Sequence, residues 1–422
     1  MIRLTRGIDH IPDSIVPTNW EVTRIGDVSV QVAGGRLGLT KGEDYSMSGV
    51  AAYSAAGQDG FVRSAEFVDT EGVVLSAIGA QCGKCFYATG EWTTLANTQA
   101  LIPTNRLSAR YLWHRVNRDD YWPRTGSAQP FIKPSSIRGC RLLLPPLPEQ
   151  RRIAEILDTV DEAIRKTEEV IAKLQQMKQG LLHDLLTRGI DDNGELRDPD
   201  RHPEQFKDSE LGRIPRAWEV RHLATCVRDS APITYGIVQA GPNVPGGVPY
   251  IRTGDMSGDS LTKDEMLCTS PRLAAMFSRS RVEEGEIVCA IRASVGKVLK
   301  VPAELDGANL TQGTARISPH PSIESGFLFW SLRGQQLQKQ FDLSVKGTTF
   351  REITLARLRQ LLVPIPGSRS EQESIASLVG NAQQREVLEH DTLDKLRRLK
   401  SALMNDLLTG RVRTIPTEPA AP

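Results

Sequence analysis

Two stretches of the chain show a helical pattern of hydrophobic residues over some forty positions each. In residues 149–188, apolar side chains recur every three or four residues with no intervening proline, which is the spacing of a heptad seam. The same spacing recurs in residues 371–408, where Lys400 repeats the interruption that Lys178 makes in the first seam. We predict two long amphipathic helices that bury their apolar stripes against each other. The predicted seam residues are Ile153, Leu157, Val160, Ile164, Ile171, Leu174, Leu181 and Leu185 in the first helix, and Ile375, Val379, Ala382, Leu393, Leu396, Leu403 and Leu407 in the second.

The residues before each helix follow a different pattern. Residues 72–78 form a short apolar run, and such runs are separated by many glycines and turn residues, as in short strands joined by loops. Residues 190–212 are rich in Asp, Gly and Pro and poor in apolar side chains, which indicates an exposed connector. Each half of the chain is therefore predicted to hold a mixed domain of strands and helices, followed by a long helix.

The two halves also repeat each other in sequence. Matches that keep the same order along the chain, with a spacing that changes gradually, are the signature of a tandem duplication. Here the repeat is on the order of 200 residues long. The matches pair residues 17–22 with 215–220, 74–78 with 288–291, 83–84 with 296–297, 96–97 with 308–309, 112–113 with 329–330, 149–150 with 371–372, and 184–187 with 406–409.

The predicted fold class is α+β, with two mixed α/β domains in tandem separated by two long antiparallel coiled-coil helices. The predicted segments are a first mixed domain at 1–145, a spacer helix at 146–189, the connector at 190–212, a second mixed domain at 213–363, a second spacer helix at 364–413 and a disordered tail at 414–422.

Composition narrows the class of protein without assigning a function. Hydrophobic residues make up 39% of the chain and charged residues 24%, as in an ordinary soluble domain. The chain has no apolar run long enough to cross a membrane, and its six scattered cysteines suit a reducing cytoplasm. The net charge of +1 does not by itself indicate nucleic acid or any other charged partner. Arginine dominates the basic residues of both mixed domains, however, which permits contacts with DNA.

Motifs that carry catalysis are missing from the sequence. Gly83-Lys84 and Gly296-Lys297 lack the remaining residues of a phosphate-binding loop, and the seven histidines are isolated. Cys82 and Cys85 have the spacing of a redox or zinc pair, but the second repeat carries valines there, so we interpret them as packing residues. His222 and Cys226 are interpreted in the same way. We therefore expect no catalytic residue and no metal site.

The ordered motifs resemble those of the specificity subunit of type I restriction–modification systems over nearly the whole chain. The resemblance rests on both repeats and on the entry into the second domain. The residues that carry it are 249–255, 284–288, 296–297, 307–310, 346–349 and 362–366 in the second repeat, 52–57 and 144–153 in the first, and 206–215 between them.

The resemblance implies a non-catalytic subunit that acts on double-stranded DNA. In this family, two target recognition domains each read one half of an asymmetric, split sequence. The two helices set the gap and dock two methyltransferase subunits, which bind S-adenosylmethionine and methylate adenine N6. Restriction/translocase subunits, which use ATP and Mg, join to cleave unmodified DNA. The chain itself is then expected to bind no cofactor and no membrane and to be cytoplasmic.

Recurrent polar positions near the Gly-Lys pairs are the candidates for contact with DNA. Because they recur in two domains that read different sequences, we favour contacts to phosphate or a structural role over base reading. The candidates are Lys84, Asn97, Arg252, Arg292, Ser294, Lys297, Asn309, Lys346 and Thr348. The alternative function is a DNA-binding scaffold outside restriction that recruits a partner through its helices. Direct catalysis ranks third.

Overall fold

The computed structural model describes residues 11–12, 15–35, 45–347 and 351–414. These residues form two compact units. Unit 1 extends up to Glu169 and resumes at Asp391, whereas unit 2 extends from Val170 to His390. Each unit therefore combines one mixed domain with a part of both long helices. The predicted tail beyond Thr414 lies outside the described residues.

The elements of unit 1 before the first long helix are β1 (Glu21–Arg24), β2 (Ser29–Gly34), β3 (Val50–Ser54), β4 (Gly57–Val62), β5 (Gly72–Ser76), β6 (Cys85–Ala88), β7 (Trp92–Thr94), β8 (Thr98–Pro103), α1 (Ala109–Val116), α2 (Pro134–Gly139) and β9 (Arg141–Leu144). The strands form a four-stranded sheet with the order β2-β8-β5-β6, a three-stranded sheet β4-β3-β7 and the pair β1-β9. Strand β5 is buried along its whole length, which explains its continuous apolar sequence.

The first long helix, α3 (Leu147–Thr187), leads from unit 1 into unit 2. The other elements of unit 2 are β10 (Phe206–Ser209), β11 (Gly212–Pro215), β12 (Trp218–His222), β13 (Thr234–Tyr235), β14 (Val248–Ile251), β15 (Cys268–Thr269), α4 (Pro271–Met276), β16 (Ile287–Ala290), β17 (Val298–Lys300), β18 (Asn309–Leu310), β19 (Thr314–Ile317), α5 (Ser325–Arg333), α6 (Gln335–Ser344), α7 (Leu355–Arg359) and β20 (Leu362–Pro366). The second long helix, α8 (Arg369–Leu407), leads back into unit 1.

Unit 2 repeats the strand topology of unit 1. Its four-stranded sheet has the order β13-β19-β16-β17, its three-stranded sheet the order β15-β14-β18, and β12 pairs with β20. In both three-stranded sheets the last pair, β3-β7 and β14-β18, is parallel, whereas the other pairs are antiparallel. The fold thus confirms the predicted α+β class and its internal duplication. The hairpin β10-β11 lies between α3 and β12.

Hydrogen-bond register corrects two of the predicted sequence matches. Thr93 pairs with Ala52 as Asn309 pairs with Tyr250, at the same place in the parallel pairs, so Asn309 is the counterpart of Thr93 and not of Asn97. Similarly, Ser108 and Glu324 both cap their helices and both donate their backbone N–H to a glutamine. This register makes Phe329, and not Trp330, the counterpart of Trp113.

Both long helices begin and end close to the predicted residues. Proline in the first turn, Pro148 of α3, suits a helix start because the first turn needs no amide donor. Beyond the C-termini, Gly189 and Gly410 adopt φ values of +63° and +71°, the left-handed conformation that glycine supplies at helix ends. Both helices therefore end in the same way, with a left-handed glycine shortly after the duplicated Asp-Leu-Leu-Thr sequence.

Within each unit the two helix segments run antiparallel. In unit 1, Lys400 pairs with Asp161 and Arg397 with Glu168. Residue numbers thus increase along α3 in the direction in which they decrease along α8. In unit 2, Lys178 pairs with Glu386 and also donates to Gln383 Oε1 at 2.8 Å. Every predicted seam residue is buried or half-buried. Lys178 and Lys400, which interrupt the apolar seam, thus each form an ion pair with the other long helix.

A carboxylate at the start of each long helix holds the domain beside it. Glu149 accepts from the Trp20 indole at 2.9 Å and from Arg413 at 2.8 Å. In unit 2, Glu371 accepts from Trp218 at 3.1 Å and from Arg197 at 2.5 Å. In each unit the arginine follows the end of the other long helix. We call this arrangement the Trp–Glu–Arg clamp.

Candidate nucleic-acid interface

Three turns meet at one end of the four-stranded sheet in unit 1. The turn after β5 bonds to the turn before β8 through Ala77 N–H and Asn97 O, at 2.8 Å. It also bonds to a third turn, where Ile132 N–H donates to Ala77 O and Gly79 N–H to Pro130 O, each at 2.9 Å. We call this arrangement the three-turn frame. In unit 1 it comprises residues 77–84, 95–97 and 125–132.

Unit 2 contains the same frame with the same bonds. Ile291 N–H donates to Gly313 O at 2.9 Å, and Ile353 N–H donates to Ile291 O at 3.0 Å. The bond of Ala293 N–H to Arg351 O, at 3.0 Å, matches that of Gly79 to Pro130. The backbone scaffold at this sheet end is therefore shared. In unit 2 the described residues of the frame are 291–297, 311–313, 346–347 and 351–353.

The side chains that the two frames carry are different. At one isolated bridge of each frame, Ile78 faces Phe131 in unit 1, whereas Arg292 faces Glu352 in unit 2. Ile78 is 37% exposed, and the guanidinium of Arg292 lies 3.3 Å from the Glu352 carboxylate, both about 45% exposed. One backbone arrangement thus presents an apolar pair in unit 1 and a charged pair in unit 2.

Several of the predicted residues lie on these frames. Lys84 and Lys297 occupy matching positions, since their carbonyls accept from Ser76 N–H and Ala290 N–H. Lys84 is exposed, whereas Lys297 is half-buried and donates to Ser257 O at 2.9 Å. The remaining predicted residues on the frames, all exposed, are Asn97, Arg292, Ser294 and Lys346.

Two predicted residues are placed elsewhere. Asn309 is buried, and its amide is bonded to Ser280 Oγ and to Ala274 O at 3.0 and 3.1 Å, so its side chain fills a core position and is withdrawn from any surface. Arg252 is bound by the Asp255 carboxylate at 2.6 Å and is half-buried. Thr348 lies outside the described residues.

The turn at residues 125–131 was not among the predicted site residues. Residues 346–349, which carry part of the family resemblance, begin at the matching place in the second repeat, but the two segments were not matched. The sequence did contain a signal for this match, since Gly126 precedes a serine and Gly347 precedes a threonine. Both glycines adopt φ values near +80° (+85° and +82°), which explains why glycine stands at this place in both turns.

The cysteine pair near the frame is part of the core. Cys82 and Cys85 are buried, and burial raises the pKa of the Cys85 thiol to about 12, which keeps it protonated and unreactive. Among the described residues, no group of three or more His, Cys, Asp or Glu side chains is arranged to hold a metal ion. These thiols therefore pack as small apolar side chains.

The long helices carry a second repeated surface on their outward sides. Met177 in unit 2 is 60% exposed, and Leu399, at the equivalent position in unit 1, is 47% exposed. Four residues before each lies an exposed lysine, Lys173 or Lys395. Every predicted docking residue of the seam is buried or half-buried, so the more exposed apolar side chains of the repeated helices are on these outward faces.

No helix in the part of the chain that the structure describes is long and apolar enough to span a membrane.

Comparison with known proteins assigns the family. The type I restriction modification DNA specificity domain matches residues 17–176 and again 237–398. The specificity subunit of the type I restriction enzyme MjaVIII from Methanocaldococcus jannaschii is 24% identical over 417 residues, which cover 94% of each chain. The EcoBI specificity subunit from Escherichia coli is 25% identical over 236 residues, covering 56% of this chain and 50% of the relative.

A solved structure supports the fold. The crystal structure of the S subunit of a type I restriction–modification system from M. genitalium superposes with a TM-score of 0.61 and 14% identity, covering 96% of this chain and 99% of that chain. The family match spans most of the chain and occurs once in each repeat. The chain therefore belongs to the family of type I restriction–modification DNA specificity subunits.

Proposed function

We propose that this chain is the non-catalytic, DNA-reading subunit of a type I restriction–modification complex, and that each three-turn frame reads one half of a split, asymmetric site in double-stranded DNA. The observation that carries the proposal is the shared backbone frame with different side chains. Base contacts must vary with the sequence that is read, whereas the scaffold that positions them need not. Two readers within one chain then select two half-sites.

The partners we propose are two identical methyltransferase subunits, which would bind S-adenosylmethionine and methylate adenine N6, and restriction/translocase subunits that use ATP and Mg. The support is the repeat of the outward surface at Met177 and Leu399, 47–60% exposed, since two equivalent surfaces suit two copies of one partner. The chain would meet these partners on DNA in the cytoplasm and supply no cofactor itself.

The test is a genome-wide map of N6-methyladenine in the native host, with and without this gene. We expect deletion to abolish methylation at one motif of two different half-sites separated by a fixed gap. An unchanged map from a host whose methyltransferase genes are expressed would contradict the proposal. Specific DNA binding without any change in methylation would instead favour a scaffold outside restriction.

A variant of the outward helix surface tests whether DNA binding and methyltransferase binding depend on different residues. Met177→Asp together with Leu399→Asp places charges on both outward faces, where a partner would have to bury them. We expect this double variant to bind DNA normally but to lose co-purification with the methyltransferase subunit. The control is Lys166→Asp with Arg385→Asp, at exposed helix positions outside the repeated pair. Equal loss in both variants would argue against the assigned surface.

A further inference from the structure

The bridge where the two frames differ has the chemistry of a base-pair reader. In unit 2, Arg292 offers a fork of N–H donors beside the Glu352 carboxylate, which only accepts. In the major groove, guanine shows two acceptors, O6 and N7, and its cytosine partner shows the N4 donor. The Arg292–Glu352 pair therefore matches the edge of a G·C base pair, donor to acceptor and acceptor to donor.

The frame aims this pair outward. Ala293, directly after Arg292, adopts φ +57°, a left-handed conformation that is unfavourable for a residue with a Cβ. The bond from its N–H to Arg351 O, at 3.0 Å, holds it in place. Gly79 takes the same role in unit 1 with φ +93°. In both frames the residue before this turn is thereby fixed on the exposed end of the sheet.

Space for a ligand lies directly beside the pair. A cavity of about 460 Å³ is lined by Arg292, Glu352, Tyr235 and Val238, among others. Tyr235 and Val238 are 36% and 52% exposed, so the wall of this cavity beside the ion pair is open to solvent. The ion pair itself is exposed and 3.3 Å long, so it is loose enough to exchange its partners for a base pair.

Resting on the proposed function, we infer that Arg292 and Glu352 read one G·C base pair in the half-site of unit 2. By the same register, Ile78 and Phe131 read one A·T pair in the half-site of unit 1, through the thymine methyl group. An apolar pair has no donor or acceptor for a G·C edge, but it packs against a methyl group. The two half-sites thus differ at the position that this bridge contacts.

The experiment is selection from a randomised double-stranded DNA library by the full chain, co-expressed with its methyltransferase subunits, followed by sequencing. We expect the wild type to enrich a split motif with guanine at one position of the unit 2 half-site. Arg292→Gln should lose that preference at this position alone, by a factor of about 5 to 150 for a bidentate contact. Glu352→Gln should relax the same base pair.

Arg292→Lys separates base reading from phosphate contact. Lysine keeps the charge but lacks the planar fork, so a phosphate contact would survive this change and the guanine preference would not. The matched control is the exposed pair Arg228–Glu283, 3.0 Å apart in the same unit, at the opposite end of strand β16. Arg228→Gln and Glu283→Gln should leave the enriched motif unchanged.

The reciprocal exchange guards against a variant that fails to fold. Ile78→Arg with Phe131→Glu places the charged pair on the frame of unit 1, and should change one thymine in that half-site to guanine. A wild-type motif that persists unaltered in both Arg292 variants and in this exchange overturns the inference while leaving the proposed function intact. A wild-type protein that enriches no motif overturns the proposed function itself.

Discussion

The two units use one backbone arrangement to present two different surfaces. In both, the turn after the central buried strand is bonded to two neighbouring turns with N···O distances of 2.8–3.0 Å. Unit 1 places Ile78 and Phe131 on this frame, whereas unit 2 places Arg292 and Glu352 there. The bonds that build the scaffold are made by backbone groups, so they depend little on which side chains the exposed positions carry. Exposed positions were therefore free to diverge.

The clamps at the helix starts show the opposite behaviour. Here Trp, Glu and Arg are the same in both units, because the interaction depends on the side chains themselves. A buried carboxylate needs its donors to offset the loss of hydration, and Trp20 and Trp218 supply one donor each. The comparison teaches that the duplicated parts of this protein diverged where backbone carries the structure and stayed alike where side chains do.

The largest effect is expected at the clamp. Glu371→Ala leaves Arg197, only 13% exposed, without its carboxylate, and should destabilise unit 2 by about 3 kcal/mol, the usual cost of breaking a buried pair. Glu149→Ala should destabilise unit 1 to a similar extent. Hydrogen exchange measured peptide by peptide reports the opening free energy of each unit. The control is Glu373→Ala, since Glu373 is 58% exposed. If only one unit responded, the clamps would not be equivalent.

The ion pairs between the two long helices should contribute different amounts of stability in the two units. Lys178 and Glu386 are 11% and 8% exposed, whereas Lys400 and Asp161 are 27% and 24% exposed. Lys178→Met should therefore cost about 2 kcal/mol and Lys400→Met about 1 kcal/mol, because the more exposed pair is screened by water. Chemical denaturation with hydrogen exchange of the helix peptides measures both. Equal costs would mean that burial does not set the strength of these pairs.

Acid should weaken unit 1 through Glu149. Burial alone raises the pKa of this carboxyl, but hydrogen bonds from Arg413 and Trp20 outweigh burial and hold the pKa below its ordinary value of 4.5. A group with a lowered pKa in the folded state stabilises it fully above the unfolded pKa, and this contribution is lost as the pH falls through the folded pKa.

The measurement is hydrogen exchange of unit 1 peptides as the pH falls from neutral to below 4.5, the ordinary pKa of glutamate, corrected for the intrinsic exchange rate. Glu149→Gln is expected to be less stable at neutral pH but to lose less stability on acidification than the wild type. An identical decline in both proteins would show that other carboxyls dominate the acid response.

The smallest effect is expected at the matched lysines. Lys84→Ala and Lys297→Ala should each weaken DNA binding and lower the slope of log K against log salt by about 1, as for one lost phosphate contact. The enriched motif should stay the same in both variants. Binding titrations at several salt concentrations, together with library selection, measure both quantities. A changed motif with an unchanged slope would instead identify the lysine as a base reader.

Much of this architecture was predictable because it depends on local periodicity and on repetition. The seam residues were recognised from steps of three and four, since a helix places such residues on one face. Lys178 and Lys400 appeared in the sequence only as interruptions of the seam. Their partners, Glu386 and Asp161, lie on the other helix, and a sequence pattern does not specify which residues face each other across two antiparallel helices.

The tertiary structure decided which polar residues reach the surface. Asn309 and Asn97 share the same local dipeptide, Ala-Asn, yet one amide is bonded in the core and the other residue stands in an exposed turn with φ +68°. The bonds that join three distant turns, and that bring Arg292 to Glu352 across sixty residues of sequence, are equally invisible to pattern analysis. Periodicity along the chain determines elements and their apolar faces. Contacts between elements depend on register, and register is set by packing and backbone pairing that only the folded chain contains.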